Sequence, residues 1–228
     1  MALLSELVSL CAEKKLDTAP TLTVFARRLR EAGRLTQAGR GRGAAHMTFL
    51  DGARYLISCA ATDHPERAVD TEFVFSNLIQ KGGLVDEAFP LSGDNASTLD
   101  VALAKTLEAL SDGTIDRIAS ERGKEQHPGL PGMAPAFVWL RLPRNGSAAE
   151  LRVLGGSYHY YHPSLAALVE SVNAANHEAQ KVAQAALERE TYRFVTGKNL
   201  TAELRGDLLR SVAELIGAPR KRGGRHEA

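Results

Sequence analysis

Residues 20–48 carry six arginines, at positions 27, 28, 30, 34, 40 and 42, against a single acid, Glu31. Guanidinium groups stay charged at any physiological pH and do not enter an apolar core unpaired. A segment this basic can therefore bury only one narrow stripe, and must leave the rest to water or to an anionic partner. Its formal charge is +5, and the ten residues from Pro219 add +3. The whole chain is only +1, which leaves −7 on everything else. Positive charge gathered on an acid-leaning body points to a polyanion more firmly than overall charge does.

Within the segment, Leu22, Phe25, Ala26 and Leu29 recur at helical spacing and predict one buried stripe. Arg27, Arg28 and Arg30 fall off that stripe. Gly33 supplies the residue that ends a helix in the left-handed conformation. Leu35 to Ala38 reads as a short strand, and Gly39-Arg40-Gly41-Arg42-Gly43 as a turn with two guanidinium groups. A helix with outward arginines followed by a basic glycine loop suits duplex DNA: the helix enters a groove and the loop meets phosphates.

Phe25-Ala-Arg-Arg-Leu-Arg-Glu-Ala-Gly-Arg-Leu-Thr36 resembles the end of a recognition helix and the start of the wing in winged helix-turn-helix regulators. Gly39 to Thr48 is similar to segments of prophage-type proteins. The resemblance implies a double-stranded DNA partner, a homodimer and a role in transcription. Arg27, Arg28 and Arg30 would meet bases or phosphates, and Arg34, Arg40 and Arg42 would hold the backbone. Thr21, Thr23 and His46 complete the candidate DNA-binding set, His46 as a further donor to phosphate. Only one helix fits before Pro20, so the helix after Thr48 has to complete a trihelical core. Two other readings suit the same residues: a DNA-packaging subunit of the small-terminase kind, and an adaptor or inhibitor whose basic loop binds an acidic protein.

Of the 228 residues, 44% are hydrophobic and 24% charged, ordinary for a protein with a packed interior. No run approaches the 18 or so apolar residues of a membrane helix, and the first residues lack the pattern of a signal peptide. We expect a cytoplasmic protein without a membrane partner, and the C-terminal domain is a candidate site for a protein partner. Cys11 and Cys59 lie in helical apolar patterns and are expected as buried thiols.

Helices are expected over residues 2–15, 49–61, where Thr48 caps and Asp51 follows in the first turn, 69–80, from a cap at Ser97 or Thr98 through Leu110, and 115–122. The period then changes. Ala136 to Pro143 and Ala149 to Leu154 alternate around Asn145-Gly146, a strong hairpin signal. Ser157 to His162 extends the sheet. Pro163 opens a helix that breaks near Asn173 and continues to Glu190. Thr191 to Thr196 fits a strand or a continued helix equally, and Leu200 to Ile216 predicts an amphipathic helix.

The fold class expected is α+β: a winged-helix-like domain over 1–62, a helical connector or dimerisation region over 63–122, an α+β domain over 123–218, and a basic disordered tail over 219–228. Phosphate-loop, nucleophile-elbow and Cys-x-x-Cys motifs do not occur. His159 and His162 would point to opposite faces of a strand, against shared metal ligation. We expect no catalytic residues, metal or cofactor.

Overall fold

A computed structural model describes residues 2–37, 46–91, 98–126, 137–194 and 200–218. Among them the chain forms nine α-helices and one antiparallel five-stranded sheet, the mixed α+β class that the changing period predicts. The front of the molecule holds α1 (Leu4–Glu13), α2 (Ala19–Glu31), α3 (Phe49–Ala61) and α4 (Ala68–Ser76). Thr48 caps α3 as expected, with Asp51 reaching back to complete the capping box.

The sheet is built on a meander of β2 (Val138–Pro143), β3 (Ala148–Val153) and β4 (Gly156–Tyr161). The Asn145-Gly146 turn joins the first two, with Gly146 at φ +74°. Alternation sends Val138, Leu140, Leu142, Leu151, Val153, Tyr158 and Tyr160 into the core. It leaves Arg141 and Arg152 outside, both over the Trp139 ring. Helices α3, α5 (Leu99–Ser111) and α9 (Gly206–Gly217) pack on the core side. One apolar cluster runs from Leu7 through these helices and strands to Ile216, crossing positions 62 and 122 without a break.

Two strands appear where the sequence predicts helix. The helix expected over 69–80 ends at Ser76, and Ile79–Leu84 becomes β1, paired with β4 at one edge of the sheet. Gly82 and Gly83 lie in a bulge, at φ +119° and +106°. A Cβ on Gly83 would sit 1.9 Å from the Ser157 carbonyl oxygen, so strand contact requires glycine. In α4 the usual pattern is inverted: Phe73 is 55% exposed, while Glu72 is fully buried. At the other edge, Thr201–Arg205 forms β5 against β2, with Leu204 opposite Leu140, and only Gly206–Gly217 is helical. Ala202 and Leu204 fit either period, and an open sheet edge decides between them.

The ambiguous run from Thr191 makes no strand over its described residues. Thr191 ends α8 (His177–Thr191), and Tyr192–Phe194 is a turn of 3-10 helix whose Phe194 meets Phe75 edge-on at 6.3 Å. Helix α7 (Pro163–Asn173) starts at Pro163 and breaks from α8 where expected. Helix α6 (Thr114–Gln126) runs past the predicted Arg122, which forms a two-pronged ion pair with Asp86. That guanidinium, with the backbone amides of Gly155 and Ala88, holds the Asp86 carboxyl below its ordinary range. Cys11 and Cys59 are free and buried, and burial pushes the Cys11 thiol up to about 12. No described helix is long and apolar enough to cross a membrane.

Candidate nucleic-acid interface

Helix α2 is set by strong end signals. Thr18 caps its N-terminus, accepting from the Thr21 amide at 3.5 Å, and Pro20 stands in the first turn, where no amide hydrogen is needed. At the other end Gly33 is left-handed at φ +70°. The Gly33 amide donates to the Arg30 carbonyl and the Arg34 amide to the Leu29 carbonyl, a Schellman pair. Leu22, Phe25, Ala26 and Leu29 are buried as the periodicity requires, and the Tyr55 hydroxyl donates to the Leu22 carbonyl.

With that stripe inward, the helical period sorts the remaining residues onto two flanks. Thr23, Arg27 and Arg30 fall along one, and Thr21 and Arg28 along the other. All three arginines are exposed. Arg27 lies 3.9 Å from Glu31, with both side chains more than half exposed, so the pairing is weak. Arg28 and Arg30 have no side-chain partner among the described residues. The threonine hydroxyls serve the helix itself: Thr23 donates to the Ala19 carbonyl, and Thr21 shares a hydrogen bond with Thr18. Gln37 donates from Nε2 to the Arg30 carbonyl at 2.6 Å, so the chain leaving α2 stays against its last turn. Arg40 and Arg42 lie outside the described residues. His46, beyond them, is partly buried.

Arg34 is not available to phosphate as the sequence predicts. Its guanidinium grips the buried Glu72 carboxylate with two hydrogen bonds, at 2.6 and 2.9 Å, and covers the Phe73 ring. A fully buried carboxylate needs such a partner to offset its lost hydration. Arg54 approaches the same carboxylate at 3.8 Å and bonds Asp100 at 3.0 Å, and Ser76 donates to Glu72. The pairing with Glu72 raises the Arg34 pKa further. The short strand expected from Leu35 is not formed over Leu35–Gln37 either. Asp51 holds that stretch, accepting from the Thr36 amide at 2.7 Å and hydroxyl at 2.8 Å. Glu72, Arg54 and Asp100 do not figure in the sequence reading, which gives Asp51 only a place in the first turn of α3, although each acid sits among apolar neighbours of a predicted helix.

One further arginine was missed. Among the described residues, the only arginines without an ion pair are Arg28, Arg30 and Arg67; every other finds a carboxylate within 4 Å. Arg67 ends the 3-10 turn Pro65–Arg67, which packs against α2. The unpaired guanidinium groups thus belong to two adjoining elements. The chain matches no family model, no curated protein and no solved structure.

Elsewhere the surface offers two hollows. A cavity of about 120 Å³ lies between the 3-10 turn and the β2–β3 turn, lined by Thr62, His64, Arg67, Thr71 and Arg144. A groove of about 530 Å³ runs between α4 and the end of α8, past Phe73, Asn77, His162, Glu190 and Tyr192. His162 caps α7, accepting from the Ser164 amide, and burial lowers its pKa. His159 lies on the solvent side of β4, away from it. No three metal-ligating side chains converge among the described residues.

Proposed function

We propose that this chain binds double-stranded DNA, as a sequence-specific regulator acting as a homodimer. The contacts come from the exposed arginines of α2, from Arg67 beside it, and from Arg40 and Arg42 in the sequence that follows α2. One observation supports this reading above the others. In a molecule where most described arginines lie within 4 Å of a carboxylate, Arg28 and Arg30 on α2 and Arg67 on the turn packed against it do not. Charge left uncompensated on adjoining elements attracts a polyanion from a distance and releases its counterions on contact. Arg34 is excluded from the contact set, and the role is one of binding, not catalysis.

Salt-dependent DNA binding of four proteins tests this: wild type, the Arg28→Ala/Arg30→Ala double variant, Arg67→Ala, and Arg141→Ala, whose guanidinium pairs with Glu203 on the sheet. The first two variants should bind all sequences more weakly and with a flatter salt slope. Arg141→Ala should match wild type. Equal affinity and slope for all four would overturn the assignment.

A further inference from the structure

Helices α7 and α8 pack on each other as a hairpin. Asn176 caps α8, accepting from the Ala179 amide at 3.1 Å. The helix turns Ala179, Ala183, Leu187 and Glu190 inward, at buried or partly buried positions. Along one outer flank of the helix lie Glu178, Val182, Ala185 and Arg189, all exposed; Val182 is 71% exposed. Their spacing of four, three and four residues is that of a seam between paired helices. Helix α7 of the same hairpin also exposes Val169 and Val172, so much of the exposed bulky apolar surface gathers here.

The order of the four residues selects the partner. Val182 and Ala185 are equidistant from the midpoint between Ala183 and Gln184, and so are Glu178 and Arg189. A second α8 laid antiparallel, with a two-fold axis through that midpoint, sets Val182 against Ala185 and Glu178 against Arg189, each twice. A parallel copy would set acid on acid and base on base. Antiparallel alignment also opposes the helix dipoles favourably. We infer that the exposed face of α8 is a self-complementary two-fold interface, and that its occupant is the α8 of a second copy of this chain. Within one chain Glu178 pairs with Lys181 and Arg189 with Glu190, but these contacts are highly exposed and exchange readily. The isologous arrangement satisfies the closure of a two-fold dimer.

This inference deepens the dimeric part of the proposed function and does not depend on DNA. Sedimentation equilibrium of the full chain and its variants tests it, with circular dichroism to verify that these exposed substitutions leave the fold intact. Wild type should be a reversible dimer. Val182→Glu should raise the dissociation constant at least tenfold. Glu178→Arg and Arg189→Glu should each weaken association, and the double exchange should restore it, because the charges again oppose. A monomeric wild type, an unchanged constant for Val182→Glu, or no recovery in the double exchange would overturn the inference. Salt-dependent DNA capture by each variant is read separately, so failure of the dimer and failure of the DNA reading remain distinguishable.

Discussion

The side chain that holds most of the front together is Glu72. It accepts from Arg34 and Ser76, lies 3.8 Å from Arg54, and has no exposure to water. Replacing it with alanine strands the Arg34 guanidinium and removes half of the clasp that ties the end of α2 to α4. We expect Glu72→Ala to lose about 3–5 kcal/mol, the cost of breaking a buried ion pair from one side, measured by urea denaturation. His162 makes a second, gentler prediction. Burial lowers its pKa and the nearby Glu190 only partly opposes this, so the folded state binds its proton less readily than the unfolded state does. Its contribution is present above the unfolded value of about 6.5 and is lost as pH falls through the lower folded value. A His162→Asn variant, which keeps a capping side chain, should flatten the acid limb of stability as pH falls below about 6.5. An identical pH dependence in both proteins would refute this role. None of these attachments can be read from spacing: Arg34 and Glu72 are remote in sequence, and a pairing across that distance leaves no periodic trace. Arg67 was overlooked for a related reason, since what marks it is the partner it lacks.

Among the elements, legibility follows how local the deciding interaction is. Helix α2 was readable because its stripe, its cap and Gly33 all lie within the helix or beside it. The meander was readable because Asn145-Gly146 sits between two alternating runs. Strands β1 and β5 were not, because each is an edge strand whose identity comes from the neighbour it joins. Ile79-Gln-Lys-Gly-Gly-Leu84 has little strand character, and its pairing with β4 depends on Gly83 bringing its backbone close to Ser157. Gly83→Ala would face both a left-handed φ and a clash with that carbonyl. We expect β1 to detach locally, seen as lost amide protection over Ile79–Leu84 in hydrogen exchange and a lowered Tm. Gly82→Ala is the comparison, since a Cβ there meets nothing within 4 Å and only the backbone strain remains. Equal protection in the two variants would show that the close approach does not control the strand.

Over the whole molecule, charge is divided between compensated and uncompensated groups. Ion pairs across the sheet face and between α6 and α9, such as Arg210 with Asp116, hold the arginines of the body against carboxylates. Among the described arginines, those without an ion pair sit on α2 and on the turn beside it. If Arg28 and Arg30 each meet one phosphate, removing both should reduce the slope of log K against log salt by about two; removing Arg210 should change stability and leave the slope alone. The sequence conveyed that positive charge is concentrated near the front, but not which guanidinium groups are free. Helix α9 packs against α1, α3 and α5, and β5 completes the sheet beside β2. The first helices therefore leave the ribosome long before the segment that covers them has been made. Their apolar faces must wait on the nascent chain, open to chaperones, until residues 201–217 arrive to shut the interior.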